Sequence, residues 1–112
     1  MSDASNLGDF EQLVLLAILR LQSAGAYGVS IREEIAANTQ REPSPGAIYT
    51  TLDRLEKKGL IGAKPGEATP ERRGRPRRYY RVSAAGVRSL QQAHSDFSRM
   101  ARGLAQLERR DA

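Results

Sequence analysis

A cluster of arginines between two strand-like segments is the feature that most restricts what this chain can fold into. Residues 71–81, ERRGRPRRYYR, contain six arginines against one glutamate. The flanking segments LIGAK, at 60–64, and RRYYRVS, at 77–83, favour strands, in which alternate residues face opposite sides. The intervening PGEATPERRGRP, at 65–76, is rich in proline and glycine. We therefore predict a β-hairpin with a long basic tip rather than a disordered tail.

The same cluster accounts for the charge of the protein. The net charge is +5 over 112 residues, and residues 71–81 alone contribute six arginines less one glutamate, or +5. The rest of the chain is balanced. A field concentrated in one segment can steer and dock a polyanion, so nucleic acid is the natural partner. Charge alone does not decide the matter, because many basic proteins bind no nucleic acid.

The composition argues against several classes of protein. The chain has no cysteine, and therefore no disulfide framework, thiolate metal site or cysteine nucleophile. Its N-terminal sequence, MSDASNLGDFEQ, lacks the basic start of a signal peptide, and its longest apolar run, Leu13–Leu19, is too short to span a bilayer. We expect one soluble, cytoplasmic domain preceded by a flexible segment at 1–8.

The first helix is predicted over residues 9–23, where apolar residues recur at helical spacing. These residues are Phe10, Leu13, Val14, Ala17, Ile18 and Leu21. Leu15, Leu16 and Leu19 extend the apolar surface around most of the circumference. Because a domain of this size can cover only one side of such a helix, we expect a partner subunit on the other side.

Two further helices have start signals of their own. Ser30 and Glu33 match a capping box, which predicts a second helix that begins at Ser30. Ser44 as N-cap and Pro45 at the first helical position predict a third helix, which Gly59 should end. The buried stripe of that third helix should consist of Ile48, Leu52 and Leu55.

The last helix is predicted from Ser83 to Arg110, and at 1.5 Å per residue it would be roughly 40 Å long. Apolar residues along it alternate spacings of three and four, as in a coiled coil. They are Leu90, Ala93, Phe97, Met100, Leu104 and Leu107. Because the domain is too small to cover this length, we predict that residues 84–112, together with Leu16, form a dimer interface. The alternative is a helix with a loose end.

The order of these elements predicts a mainly α fold, a winged helix-turn-helix at 9–83 with a long C-terminal dimerisation helix. SPGAIYTTLDRLEKKGLI (44–61) resembles the recognition helix and first wing strand of PadR-like transcriptional regulators. GRPRRYYRVSAAG (74–86) resembles their second wing strand, and LVLLAILRLQSAGAYGVSIREEI (13–35) their first two helices. The resemblance covers about residues 10–105, and the single last helix is similar to that of the smaller subgroup. It implies a homodimeric, DNA-binding repressor that a small molecule often releases.

A helix that reads DNA must bury one face and present another to the major groove. The candidate contact residues of the third helix are Ser44, Gly46, Ala47, Tyr49, Thr50 and Arg54. Tyr49 has the alternative role of a half-buried packing residue, and Arg54 could instead pair with neighbouring carboxylates. Tyr27 and Gly28 precede the second helix, where free N–H groups could hold a phosphate; a turn with a packed tyrosine is the alternative.

In the hairpin, the planar fork of arginine suits phosphate and the narrow minor groove. The candidate contacts are Arg72, Arg73, Arg75, Arg77 and Arg78, although not all can touch DNA at once. On the second strand, Tyr80 and Val82 should face the core, while Tyr79 and Arg81 share the opposite face.

The sequence contains no sign of catalysis or of a bound cofactor. His94 is the only histidine, and without clustered ligands around it we interpret it as a surface or interface residue, not a metal ligand. Neither a nucleophile motif nor a P-loop is present, so we do not expect an enzyme. A hydrophobic effector could lie between the first and last helices, against Leu16, Phe97 and Met100; a dry interface core is the alternative.

These observations favour a homodimeric regulator that binds an inverted-repeat operator in double-stranded DNA. Two rivals from other classes remain. A winged helix can be a protein-interaction module that does not bind specific DNA. It can also bind RNA, but then exposed bases should stack on aromatic residues, which make up only 5% of this chain.

Overall fold

The computed structural model describes residues 7–22, 25–68 and 76–108, and within them it confirms the mainly α fold with a β-hairpin. The elements in chain order are α1 (Asp9–Leu21), α2 (Gly28–Asn38), α3 (Pro45–Lys57), β1 (Ile61–Ala68), β2 (Pro76–Val82), α4 (Ala84–Ala101) and a 3-10 turn (Ala105–Leu107). No helix of the described ranges combines the length and the apolar character needed to cross a membrane.

Helix α3 begins and ends where its local signals predict. The Ser44 Oγ accepts a hydrogen bond from the Ala47 N–H at 3.1 Å, and Pro45 occupies the first helical position. At the other end Gly59 has a φ of 76°, a left-handed conformation that glycine adopts without the steric penalty of a side chain.

Helix α2 begins two residues earlier than predicted, at Gly28, and the predicted capping box of Ser30 with Glu33 is wrong. Ser30 is the third helical residue. Its Oγ accepts a hydrogen bond from the Tyr27 N–H at 3.0 Å and donates one to the Gly25 carbonyl at 2.6 Å. A serine can thus cap a helix by reaching backwards from inside its first turn.

The three helices of the first half and the hairpin enclose one hydrophobic core. Its buried residues are Val14, Leu15, Ala17, Ile18, Ala26, Ile31, Ile35, Ile48, Leu52, Leu55, Leu60, Ile61, Tyr80 and Leu90. The predicted stripe of α3 is confirmed, since Ile48, Leu52 and Leu55 are at most 1% exposed. Burial of these side chains orients α3 so that its opposite face points to solvent.

The hairpin is antiparallel, and its register runs from Ile61 opposite Val82 to Pro65 opposite Arg78. It is longer than predicted, because β1 continues through the expected loop start at Pro65 as far as Ala68. The pairing is irregular between Pro65 and Ala68. Tyr80 faces the core as predicted, and its N–H donates to the Ala26 carbonyl at 2.9 Å, which ties β2 to the start of α2.

Helix α4 starts as predicted but ends at Ala101, well before Arg110. Its 18 residues span about 27 Å instead of 40 Å. Arg102 is extended and Gly103 has a φ of 78°, so the chain leaves the helix there. Leu104 therefore follows the helix, and Leu107 lies in the 3-10 turn. The helical spacing of apolar residues continues past this point in the sequence, but the α-helical backbone conformation ends at Ala101.

Candidate nucleic-acid interface

The outer face of α3 is available to a ligand over its whole length. All of the predicted contact residues on it are exposed: Ser44, Gly46, Ala47, Tyr49, Thr50 and Arg54. Gly46 and Ala47 are small residues, so a ligand can approach the backbone of the first turn closely. One turn further along, Asp53 pairs with Lys57 at 3.0 Å, so the end of this face carries balanced charges.

Tyr49 packs against α2 and is also partly open to solvent. It is 51% exposed, yet the tip of its phenol lies directly over the first residue of α2. A Cβ at Gly28 would stand only 2.2 Å from the Tyr49 Oη, so the position admits no side chain while the phenol remains there. The packed tip holds the ring beside the start of α2, and the exposed part can face a phosphate or a sugar.

Tyr27 is a packed residue, which is the second of its two predicted roles. Its N–H is occupied by Ser30, and its ring lies 5.6 Å from the Tyr79 ring at an interplanar angle of 65°. The Arg77 guanidinium also lies over the Tyr27 ring, 4.0 Å from its centroid. The start of α2 is therefore one of the places where the hairpin meets the helical part of the domain.

The arginines of the hairpin differ in their surroundings. Arg78 is exposed and forms an ion pair with Glu56 of α3, at 3.1 Å and 3.2 Å from its two carboxylate oxygens. Arg77 is half-buried against tyrosines, and hydrogen bonding with the Tyr79 side chain raises its pKa above the ordinary value. The predicted contacts Arg72, Arg73 and Arg75 lie outside the described residues.

Glu56 is a residue of this surface that the sequence analysis missed. It lies seven positions after Tyr49, two helical turns along the same side of α3, and faces β2. The spacing was visible in the sequence, but its partner on the hairpin was not, because the two residues are 22 positions apart. A carboxylate here reduces the positive charge that the hairpin presents beside α3.

A second surface lies away from the hairpin, in a groove of about 430 Å³ between α1 and α4. Its lining residues are Gln12, Leu16, Leu19, Val87, Leu90, Gln91, Ala93, His94 and Phe97. The predicted effector residues Leu16 and Phe97 do meet here, whereas Met100, 80% exposed, is not part of the lining. Leu90, a predicted interface residue, packs into the core of its own chain.

A comparison with known proteins identifies the family of this chain. The model of the transcriptional regulator PadR-like family matches residues 15–92, more than half of the chain. The chain belongs to the PadR-like family of transcriptional regulators. This confirms the resemblance found in the sequence, and with it DNA-binding regulation and not enzymatic catalysis as the kind of activity. No curated protein matches the sequence significantly.

Solved structures of transcriptional regulators, among them members of the PadR family, have the same fold. A PadR family regulator from Eggerthella lenta is 25% identical, with a TM-score of 0.67 over 86% of this chain and 80% of that one. A transcriptional regulator from Clostridium thermocellum is 22% identical, with a TM-score of 0.68 over 88% and 92%. A PadR-like regulator from Bacillus cereus is 21% identical, with a TM-score of 0.67 over 91% and 93%. The winged-helix architecture is therefore that of the family.

Proposed function

We propose that this PadR-like protein is a homodimeric, cytoplasmic repressor that binds an inverted-repeat operator in double-stranded DNA and is released by a small hydrophobic molecule. The observation that carries the proposal is the exposed face of α3 with a basic hairpin fixed beside it. A major groove accepts one helix, and arginines of a hairpin can grip the flanking phosphates. Family membership supports DNA as the ligand.

The homodimer rests on apolar surface that the chain cannot cover itself. Among the described residues, the large exposed hydrophobic side chains of α1, α4 and the segment after it are Leu16, Leu19, Phe97, Met100, Leu104 and Leu107. Each is at least 44% exposed. Leu16, Leu19 and Phe97 line one groove, and exposed apolar surface of this kind marks an interaction site. A symmetric dimer through α4 would place two copies of α3 for successive major grooves, which implies an operator with two-fold symmetry.

Effector release rests on the groove between α1 and α4. Its volume of about 430 Å³ falls in the range of small-molecule pockets, and its walls are mainly apolar with Gln12, Gln91 and His94 as polar groups. Because both walls belong to elements of the proposed dimer surface, a bound molecule can favour one arrangement of the two subunits. Such a molecule acts only if it binds that arrangement better than the DNA-bound one.

DNA affinity over a salt series tests this function. Wild type would be titrated with its own promoter fragment and with random DNA, beside Tyr49→Ala and the double variant Arg73→Ala with Arg75→Ala. We expect preference for one fragment, loss of that preference in Tyr49→Ala, and a salt slope reduced by about 0.9 per lost phosphate contact in the double variant. Arg88→Ala, which removes an exposed arginine of α4, is the control for charge alone.

Weak, equal binding to all fragments by all of these proteins would contradict the proposal. The protein-interaction module would then be the better interpretation. Binding of single-stranded RNA in preference to duplex DNA would favour the RNA alternative instead. A footprint without two-fold symmetry would contradict the homodimeric operator while leaving DNA binding intact.

A further inference from the structure

The junction of the hairpin with α2 contains an arginine in surroundings unlike those of a solvent-exposed phosphate contact. The Arg77 guanidinium lies 4.0 Å from the Tyr27 ring centroid, and its buried Nε has no hydrogen-bond partner among the described residues. A guanidinium over the face of an aromatic ring is attracted by the negative charge of that face, and the attraction is strongest where water is excluded. Its position is therefore defined by packing.

The same face of β2 carries a second contact to α2. Tyr79, two residues after Arg77, packs edge-on against Tyr27, with ring centroids 5.6 Å apart. On the opposite strand Gly66 makes room for it, since a Cβ there would stand 2.5 Å from the Tyr79 ring. The next residue, Tyr80, donates its backbone N–H to the Ala26 carbonyl at 2.9 Å. Side chains and backbone thus join β2 to the residues before α2.

This junction is one of the contacts that hold β2 against the helical part of the domain. Tyr27 lies under the Arg77 guanidinium, and Tyr49 of α3 places the tip of its phenol over Gly28, the next residue along the chain. The pairing of β1 with β2 becomes irregular beyond Pro65, so the regular ladder alone fixes only the base of the hairpin. The planar guanidinium of Arg77, stacked on Tyr27, can fix the angle between β2 and α2, whereas the point charge of a lysine cannot.

We propose that Arg77 is a positioning residue, which acts through Tyr27 to hold β2 at the angle at which the hairpin contacts DNA while α3 occupies the major groove. The proposal rests on the DNA-binding function proposed above and deepens it. It separates Arg77 from the arginines expected to grip phosphate directly. The distinction is one of chemistry, because a phosphate contact needs the positive charge and a positioning contact needs the flat stack.

Two variants that conserve the net charge test this distinction. Arg77→Lys keeps the charge and removes the planar fork, and Tyr27→Leu removes the ring without touching any arginine. We expect each to weaken binding to the preferred fragment by about tenfold to thirtyfold, the size of a cation–π contact that is partly to fully desolvated. Arg81→Lys is the matched control, because Arg81 is an exposed arginine of the same strand. It should bind as wild type does.

A second measurement does not depend on DNA. Amide hydrogen exchange at Tyr80, whose N–H bonds to Ala26, should become about tenfold faster in Arg77→Lys and in Tyr27→Leu. Exchange at Leu52, in the core of α3, should remain at the wild-type rate in both variants, which shows that the fold is intact. The effect would then be confined to the junction.

The outcomes separate the two proposals. If Arg77→Lys and Tyr27→Leu bind like wild type while Arg77→Ala loses about 0.9 from the salt slope, Arg77 is a simple phosphate contact and the positioning role is wrong. Unchanged exchange at Tyr80 in both variants would also overturn it. If wild type shows no preference for any fragment, the DNA-binding function fails, and faster exchange at Tyr80 would still support the anchoring of the hairpin.

Discussion

Lys58, at the end of α3, donates hydrogen bonds to both carboxylate oxygens of Glu11 in the first turn of α1, at 2.9 Å and 3.1 Å. The Glu11 side chain is only 7% exposed, and it also accepts a hydrogen bond from the Gly8 N–H at 2.9 Å. This pair joins two helices that are distant in sequence. It fixes the end of α3 against the helix that carries the proposed dimer surface.

Removing the cation of this pair should destabilise the protein strongly. In Lys58→Met the buried Glu11 carboxylate loses its counter-ion, and we expect a loss of about 3 kcal/mol in the free energy of unfolding. Lys57→Met is the matched control, because Lys57 pairs with Asp53 at a site where both side chains are largely exposed. That change should cost less than about 0.5 kcal/mol. Urea unfolding followed by circular dichroism measures both, and equal losses would contradict the prediction.

The same pair should make stability depend on acid. Burial alone would raise the pKa of Glu11, but hydrogen bonds from Lys58 and Gly8 and the charge of Lys58 lower it below its ordinary value of 4.5. A carboxyl whose pKa is lowered in the folded state contributes stability that is fully present at pH values above its pKa in the unfolded state. This contribution is lost as the pH falls below 4.5 through the lowered folded pKa.

Urea unfolding of wild type and of Glu11→Gln between about pH 7 and pH 3 checks this dependence. The difference in free energy of unfolding between the two proteins should be constant above about pH 5 and should shrink below it. Asp9, whose pKa is lowered by its hydrogen bond to Arg41, is present in both proteins and therefore cancels. A difference that does not vary with pH would show that Glu11 acts through packing alone.

Local signals predicted α3 well, but they predicted the start of α2 and the end of α4 poorly. Ser44 and Gly59 act on their own backbone neighbours, so their effect on α3 is visible in a short window of sequence. Ser30 is also a capping residue, but it caps from the third helical position, which the pattern S-x-x-E cannot distinguish from an N-cap. At the end of α4 the helical spacing of apolar residues continues past Gly103, although the chain leaves the helix at Arg102 and Gly103 is left-handed.

The ion pairs and the stacking contact between distant segments could not be predicted from the sequence. The Glu11–Lys58 pair joins residues 47 positions apart, and Arg78 meets Glu56 across the boundary of α3 and the hairpin. Periodicity identifies which face of an element is buried, but it does not say which side chain of another element lies opposite. For Arg77, the sequence indicated a basic residue of the hairpin, whereas the structure shows the tyrosine on which it stacks.

The contact of α4 with the hairpin depends on a glycine. A Cβ at Gly86 would stand 2.3 Å from the Leu60 carbonyl oxygen and 2.6 Å from Val82 Cγ1. Backbone cannot move aside cheaply, so Gly86→Ala should lower the free energy of unfolding by about 2 kcal/mol despite the better helix propensity of alanine. Gly46→Ala, where the nearest atom is 3.9 Å away, should be neutral or stabilising. Equal effects in thermal unfolding would contradict this close approach.

A charge on the apolar surface of α4 should separate the proposed dimer. Phe97 is 68% exposed in the single chain, so Phe97→Glu should leave the fold intact and prevent association. Sedimentation velocity should show a dimer for wild type and a monomer for the variant, with unchanged circular dichroism. Gln92→Glu adds the same charge on an exposed residue of α4 outside the groove lining and should remain dimeric. A monomeric wild type would contradict the dimer.

The ion pair of Arg78 with Glu56 should restrain DNA binding. Because Glu56 places a carboxylate 3.1 Å from Arg78, phosphate must compete with it for that guanidinium. Glu56→Gln should therefore raise affinity for the preferred fragment by about threefold to tenfold and steepen the salt slope by up to about 0.9. Both side chains are partly exposed, so the free energy of unfolding should change by less than about 1 kcal/mol.

Two controls distinguish this competition from a general effect of charge. Glu33→Gln removes an exposed carboxylate of α2 and makes the same change in net charge. If it strengthens DNA binding as much as Glu56→Gln does, the ion pair has no special role. Adding Arg78→Ala to Glu56→Gln should abolish the gain, because the guanidinium that the first change released is then absent. A gain that survives the loss of Arg78 would assign it to the removed carboxylate alone.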